Sequence, residues 1–453
     1  MIYQEKKEIK ICFWIFFFLL MTEGIIRRWL LPGLNNIFLV ARDPFVLYVI
    51  YIGIKIGLLR DFLAKIMLGL SILCFLSALV FGHGNVFVAL FGMRILLYYP
   101  FIYITAKVLS RDDILKVGKI FVLLIIPITI LCMVQFISPQ SSFVNIGVGG
   151  DESGAGFGGA LGYYRPPGIF TFTAALSDYY AISLSFLLYF LTNKNDARKM
   201  ALTNGMLISS IIFFIISIPV SISRTHFVQT VIICIFYMFV VSNNIRKIKR
   251  VIYSGAIVII SIIVISQLVP EIDLYSKVFM ARFNGANTAE GGLLTSAYER
   301  SFGWAIRALQ KTSLMGYGDG HFTNVGMKLL RGDTSRFTGD LAYIADATEM
   351  EWGRILCEDG LILGNIIIAI RFTISMELFI KSKRCLDDNK DILPWLLMPF
   401  AFLFNLWMPL RSPYHLGFCA IITISCMTVI QSHQKKKIAD IIKKLISRKQ
   451  LYP

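Results

Sequence analysis

The sequence predicts an all-α polytopic membrane protein with about twelve transmembrane helices and one large extracytoplasmic loop that contains short helices. Three observations support this fold class. Of the 453 residues, 56% are hydrophobic, and the mean hydropathy is +0.68, a balance that soluble domains do not show. Apolar runs of about 20 residues, the length that crosses a bilayer as a helix, recur along the whole chain. Lysine and arginine cluster between these runs, at every second boundary.

The apolar runs divide the chain into four regions. An N-terminal bundle of about nine helices covers residues 1–269, a large loop 270–352, C-terminal helices 353–430 and a basic tail 431–453. The predicted spans are 11–26, 37–54, 64–81, 86–106, 118–138, 169–191, 202–220, 225–241, 251–269, 353–380, 392–409 and 412–430.

The basic clusters predict the orientation, because lysine and arginine in short loops are retained on the cytoplasmic side. They place both termini in the cytoplasm and loops 139–168 and 270–352 outside it. We therefore expect a multi-pass protein of the cytoplasmic membrane, whose net charge of +17 reflects topology and not a nucleic-acid partner. The tail KKKIADIIKKLISRKQ is expected to form an amphipathic helix on anionic membrane lipids. The eight cysteines show no disulfide or metal-ligand spacing.

The first outer loop is glycine-rich and is expected to be mobile. It ends in YYRPPGIFTF at residues 163–172, which places Arg165 immediately before an apolar run. The two prolines suit the first turn of a helix, and Arg165 would then only reach to the membrane surface. Alternatively, Arg165 binds a lipid-borne anion.

The second outer loop is expected to contain a helix that opens at a capping box of Ser296 and Glu299 and continues to about Lys311. Arg300, Trp304 and Arg307 share one face of it. That face is either a solvated stripe with one packed aromatic residue or a pair of guanidinium groups presented to a diphosphate, since arginine forks onto two phosphate oxygens.

Several ionisable residues lie at or inside predicted spans. Arg354 and Glu358 are four residues apart and are expected to pair along the helix. Arg94 lies within a span and is interpreted as an internal counter-ion. Acidic residues accumulate before the tenth span at Asp333, Asp340, Asp346, Glu349 and Glu351.

Four motifs together resemble those of the O-antigen ligase and O-antigen polymerase superfamily of bacterial envelope-glycan enzymes. The first is EGIIRRWLLPGL with ARDPF near the N-terminus, and the second is RPPGIF around Arg165. The third is SISRTH around Arg224, and the fourth is MGYGDG followed at a distance by TEMEWGRILCEDGLILG. The fourth motif departs from the His-x8-Glu-x-Gly pattern of the ligases, because Glu349 stands where that pattern has histidine.

This resemblance implies packed transmembrane helices with a loop that covers a cavity open to the outer leaflet. The implied substrates are polyprenyl-diphosphate-linked glycans, joined without a nucleotide sugar or an obligatory metal or other cofactor. An acceptor hydroxyl attacks the anomeric carbon and the lipid diphosphate leaves. On this basis Arg165 and Arg224, with Arg300 and Arg307 as further candidates, would bind the diphosphate.

The resemblance also suggests a proton acceptor. Glu349 is the predicted base, because a buried carboxylate can serve in that role, and Asp346 and Glu351 are the alternatives. The missing histidine favours a polymerase over a ligase. A carrier of lipid-linked sugars and a non-catalytic assembly subunit remain open. Besides the lipid-linked glycan, membrane lipids and other polysaccharide-assembly proteins are the candidate partners. The carrier is disfavoured because no internal repeat is visible.

Overall fold

The computed structural model describes residues 2–241, 270–289, 298, 302–330 and 350–450. In this part of the chain the structure is helical except for one two-stranded hairpin and the connecting loops. Nine of its helices are long and apolar enough to cross a membrane, and two more are apolar but shorter. These eleven helices coincide with eleven predicted spans, so the all-α membrane class is confirmed. The twelfth predicted span, 251–269, lies outside the described residues.

The helices differ widely in length. In the first half of the chain they are α1 Ile2–Ile25, α2 Asn35–Phe38, α3 Asp43–Lys55, α4 Phe62–Val80, α5 Val86–Val108, α6 Arg111–Ile137, α7 Thr173–Thr192, α8 Lys194–Lys199, α9 Asn204–Val220 and α10 Arg224–Val241. In the second half they are α11 Pro270–Ala289, α12 Trp304–Lys311, α13 Asn324–Leu329, α14 Glu351–Asn389, α15 Leu393–Leu406 and α16 Pro413–Gln450. The hairpin consists of β1 Gly158–Ala160 and β2 Tyr163–Tyr164.

Ion pairs join the helices at one end of the bundle, which we call the basic end. Lys10 contacts Asp113 at 2.7 Å, and Lys107 contacts Asp61 at 2.5 Å. Arg111 reaches Asp391 of the loop between α14 and α15. The predicted basic clusters therefore meet at a common end. The opposite end, where α6 ends and α7 begins, is called the loop end.

The loop between α6 and α7 is folded, in contrast to the mobile loop expected from its glycines. Its strands pair antiparallel, with Gly158 opposite Tyr164. The Asn145 side chain donates to the carbonyl of Gln135 at 3.0 Å, and the Gln135 side chain donates to the carbonyl of Gly168 at 3.1 Å. Side-chain amides thus supply the hydrogen bonds that regular secondary structure would otherwise provide.

Helix α14 is kinked close to the loop end. Gly360 has φ +74° and ψ −177°, a conformation that glycine adopts readily and other residues do not. A Cβ atom at Gly360 would lie 2.4 Å from the carbonyl oxygen of Leu314. The segment 351–359 is thereby turned away from the long remainder of the helix, a break that the predicted continuous span 353–380 did not include.

Helix α16 continues into the basic tail without a break as far as Gln450. The amphipathic helix predicted for the tail is thus the end of this longer helix. No glycine or proline follows Gly417 before residue 450, so nothing in the sequence interrupts the helix there.

Candidate functional site

The N-terminal motif EGIIRRW anchors the RPPGIF segment. Arg28 is buried and donates to the carbonyls of Ile146 at 2.7 Å and Gly168 at 2.8 Å. Gly24 lets α1 approach closely, since a Cβ atom there would lie 2.1 Å from the carbonyl oxygen of Ile169. Two of the four motifs are therefore packed against each other at the loop end.

The other charged residues of the N-terminal region pair with one another. Glu23 accepts from Arg27 at 2.8 Å and lies 3.0 Å from Arg42. Arg94 contacts Asp43 at 3.1 Å, which confirms the predicted internal counter-ion. These buried ion pairs hold α1, α3 and α5 together, and each of the charges has a partner of opposite sign within the protein.

Three arginines gather around strand β1. Arg165 donates from Nε to the carbonyl of Gly158 at 3.0 Å, and Arg282 of α11 donates to the carbonyl of the adjacent Gly159 at 3.4 Å. The SISRTH segment reaches the same strand, because a Cβ atom at Gly159 would lie 3.2 Å from Ile222, two residues before Arg224. The structure therefore brings Arg165 and Arg224 together and adds Arg282.

The electrostatics of this arginine cluster are repulsive. Burial lowers the pKa of Arg165, and the charges of Arg282 and Arg224 lower it further. In the part of the chain that the structure describes, neither Arg165 nor Arg282 forms an ion pair, and the backbone carbonyls are their hydrogen-bond acceptors. A bound polyanion would stabilise this arrangement, because it would replace repulsion with charge-assisted hydrogen bonds.

A buried histidine and aspartate lie next to the SISRTH segment. Ser223 is hydrogen-bonded to Ser177 at 2.9 Å. Asp178, which follows Ser177 in the chain, contacts His415 Nδ1 at 2.5 Å. Gln229 donates to the other oxygen of Asp178 at 3.2 Å. Among the described residues, His415 Nε2 has no hydrogen-bond partner. An imidazole held in this way has its second nitrogen available to accept a proton.

The two parts of the fourth motif pack against each other. The backbone N–H of Tyr317 donates to the carbonyl of Cys357, and that of Gly318 donates to the carbonyl of Glu358, both at 2.8 Å. A Cβ atom at Gly316 would lie 2.4 Å from the carbonyl oxygen of Glu358. The glycines of MGYGDG therefore permit close backbone packing at the kink of α14.

Glu351 lies in a buried ion-pair network beside that kink. Its carboxylate accepts from Arg354 and Arg371 and, at 3.0 Å, from the backbone N–H of Leu410. Arg354 also pairs with Glu358, as the sequence predicted. The Glu351 carboxylate therefore holds the turn between α15 and α16 at Leu410, five residues before His415 in the first turn of α16.

The predicted site residues thus fall into four groups. Arg165 and Arg224 lie together, whereas Arg307 lies on α12, where its Nε donates to the carbonyl of Gly303 at 3.2 Å. Arg354, Glu358 and Glu351 form the network at the start of α14. The remaining predicted site residues, Arg300, Asp346 and Glu349, and the capping box of Ser296 and Glu299 lie outside the described residues.

Sequence reasoning did not single out three residues of this region, Arg282, Asp178 and His415. Asp178 carried a usable signal, because an ionisable group inside a predicted span tends to face a cavity or a partner. His415 carried the same signal, because it lies inside the predicted span 412–430, whereas Arg282 lies in the outer loop and carried none.

Comparison of the chain with known protein families, with curated proteins and with solved structures finds no match. The chemical interpretation of the loop end therefore depends on its own contacts and charges.

Proposed function

We propose that this chain polymerises polyprenyl-diphosphate-linked oligosaccharide repeat units at the outer face of the cytoplasmic membrane, in the manner of an O-antigen polymerase. The observation that carries the proposal is the cluster of Arg165, Arg224 and Arg282 around β1. A diphosphate carries several oxygens within a small volume, so it can accept from more than one guanidinium group at once.

The proposed reaction needs this cluster most in its transition state. The acceptor hydroxyl oxygen bonds to the anomeric carbon while the bond from that carbon to the diphosphate oxygen breaks. Negative charge then develops on the leaving diphosphate, and arginines already held by the Gly158 and Gly159 carbonyls stabilise it without reorganisation.

The reaction also needs a group that takes the proton of the acceptor hydroxyl. Glu349 remains our proposal for this base, with Asp346 as an alternative. The third candidate, Glu351, has its oxygens engaged by Arg354, Arg371 and Leu410, so no lone pair is open to a substrate hydroxyl. These contacts suit a residue that positions the turn before α16 through Leu410.

The arginine cluster can be tested by conservative substitution. We expect Arg165→Lys to reduce polymerisation nearly as much as Arg165→Ala, because lysine keeps the charge but cannot fork onto two phosphate oxygens. Polymerisation would be measured with lipid-linked repeat units in proteoliposomes, and binding with undecaprenyl diphosphate in nanodiscs.

A matched control exists at the basic end. Arg60 is exposed and donates from Nε to the carbonyl of Gly57 at 2.9 Å, the same kind of contact that Arg165 makes. Arg60→Lys should leave activity and binding unchanged. Full polymer length with Arg165→Lys would show that Arg165 is only a surface cation at the start of a helix.

The proposed orientation has its own test. We expect a cysteine introduced at Thr334 to react with a membrane-impermeant thiol reagent in intact spheroplasts or protoplasts, because the basic clusters assign loop 270–352 to the outer side. A cysteine introduced at Arg60 of the basic end should react only after lysis. The opposite labelling pattern would reverse the topology.

The glycan profile of cells that lack the protein separates the proposed polymerase from the other candidate functions. Loss of long chains with a single unit retained would support a polymerase. Accumulation of polymer on its lipid carrier would instead indicate a ligase, and accumulation of unpolymerised carrier-linked units inside the cell would indicate a carrier.

A further inference from the structure

The turn Met315–Gly320, which we call the glycine turn, inserts Asp319 among three transmembrane helices. A Cβ atom at Gly92 of α5 would lie 2.4 Å from Asp319 Oδ1, and one at Gly318 would lie 3.2 Å from Ala78 of α4. The carbonyl of Asp319 is bonded to His83 Nε2 at 3.1 Å. Helix α14 closes the third side through its contacts with Tyr317 and Gly318.

In the folded protein Asp319 lies beside Asp359 of α14, at the same cavity. The two residues are 4% and 5% exposed. Oδ2 of Asp319 and Oδ1 of Asp359 are buried and have no hydrogen-bond partner among the described residues. Both side chains line a small cavity of about 10 Å³, together with Arg354 and Arg371. Unpaired carboxylate oxygens are rarely buried in this way, because the desolvation penalty of the charge is large.

The formal charges around the pair do not balance. Four buried carboxyl groups (Asp319, Asp359, Glu358 and Glu351) face two guanidinium groups, Arg354 and Arg371. Glu351 and Glu358 already contact the two arginines directly. If all four acids were ionised, Asp319 and Asp359 would be two uncompensated negative charges in a region without bulk water.

Among the residues that the structure describes beside the pair, no other group supplies the missing positive charge. Cys74 of α4 cannot supply a positive charge, because its side chain is either a neutral thiol or an anionic thiolate. The pKa of His321 is lowered to about 4 by burial and by the nearby His83, and burial also lowers the pKa of His83. Both imidazoles are therefore neutral at pH 7. Arg411 donates to the carbonyl of Phe322 and is not among the residues that line the cavity.

We propose that Asp319 and Asp359 form a proton-binding site, in which the two carboxyl groups hold at least one proton at neutral pH and thereby fix the glycine turn against α4, α5 and α14. The bound proton lets one carboxyl group donate to the other, or to a water molecule in the cavity, so that an unpaired oxygen gains a partner. Two carboxyl groups that share a buried site commonly retain a proton in this way.

The proposal fixes the direction of the pH dependence. Burial raises the pKa of Asp319, and Asp359 and Glu358 raise it further. The folded state therefore binds more protons than the unfolded state above the ordinary pKa of a carboxyl group. The contribution of this pair to the stability of the fold is greatest at low pH and is lost as the pH rises through the pKa of the folded pair. Release of the proton would loosen the glycine turn from the kink of α14.

Asparagine substitution tests the proton directly, because its amide has the shape and the donor capacity of a protonated carboxyl group. In purified full-length protein we expect Asp319→Asn to keep or raise the thermal midpoint at pH 7. The decline of the midpoint between about pH 6 and pH 9 should become smaller than in the unsubstituted protein. A fall of several degrees at pH 7 would contradict the proposal, because it would mean that the carboxylate is needed in its charged form.

Asp391 provides a matched control of opposite sign. Burial would raise the pKa of Asp391, but hydrogen bonds from His433 and Arg111 lower it to about 2. This carboxylate is ionised at pH 7, so Asp391→Asn should lower the thermal midpoint there. An equal fall of the midpoint in the two variants would show that Asp319 is ionised at pH 7 as Asp391 is, and would overturn the proposal.

A second measurement detects the proton chemically. Dicyclohexylcarbodiimide reacts with protonated carboxyl groups in apolar surroundings, so we expect mass spectrometry to find it on Asp319 or Asp359 at pH 7 and to find less at higher pH. Asp391 should remain unlabelled. If the pair is instead ionised around a bound Na⁺, labelling will be absent at pH 7 and the thermal midpoint will depend on the Na⁺ concentration, and either result would overturn the proposal.

Discussion

Replacing Glu351 by glutamine is expected to destabilise the protein by about 3–5 kcal/mol, the usual cost of removing one partner from a buried ion pair. Glu351 is buried and is the acid that contacts both Arg354 and Arg371. Without its charge, Glu358 is the remaining carboxylate in direct contact with either guanidinium group among the described residues. The thermal midpoint in detergent should fall, and less folded protein should be recovered from membranes.

The same helix contains a matched control. Glu377 pairs with Lys381 one turn later, but the two side chains are 34% and 37% exposed. Exposed pairs contribute about 0–1 kcal/mol, so Glu377→Gln should change the midpoint little. The double variant Glu351→Gln, Arg371→Gln removes one charge of each sign and should recover part of the loss. A single Glu351→Gln variant as stable as the unsubstituted protein would show that the network is not important for folding.

The membrane helices could be predicted because each depends on local composition. An apolar run of sufficient length must form its backbone hydrogen bonds internally, whatever its neighbours are. The kink of α14 could not be predicted in this way. In the sequence, Gly360 is indistinguishable from an ordinary helical glycine. Its conformation depends on close packing against the backbone of Leu314, which lies 46 positions earlier in the chain. The folded loop at 139–168 was missed for a related reason, since Arg28 lies more than a hundred residues away.

The residues of the candidate site also divide into those that the local sequence identifies and those that only the packing of distant segments reveals. Arg165 and Arg224 could be selected because RPPGIF and SISRTH resemble segments of a known family of envelope-glycan enzymes. Arg282 could not, because its relevance depends on β1, whose carbonyls bring it beside Arg165. The pairing of Asp178 with His415 joins residues 237 positions apart. A sequence pattern records neither contact, because both depend on how distant helices pack.

The prediction with the largest effect on the proposed chemistry concerns Glu349. Glutamine keeps the shape and most of the hydrogen bonding of glutamate but cannot accept the proton of the acceptor hydroxyl. We therefore expect Glu349→Gln to lower turnover by roughly a hundredfold to ten-thousandfold, the usual contribution of a general base. Binding of undecaprenyl diphosphate should change little, because the proposed ligands of the diphosphate are Arg165, Arg224 and Arg282. Glu349→His should retain some activity, since the ligases that this motif resembles have histidine at that position.

His415→Gln is the comparison that makes the test decisive. His415 is held by Asp178 and has Nε2 open, so it is the described group best placed to act as a base in place of Glu349. If Glu349 is the base, Glu349→Gln should lose turnover at every pH, whereas His415→Gln should keep most of it. If His415 is the base, Glu349→Gln will turn over near the normal rate. His415→Gln will then fail, and activity of the unsubstituted protein will fall at low pH as the imidazole becomes protonated. That second pattern would end the proposal for Glu349 and assign the proton transfer to the pair of Asp178 and His415.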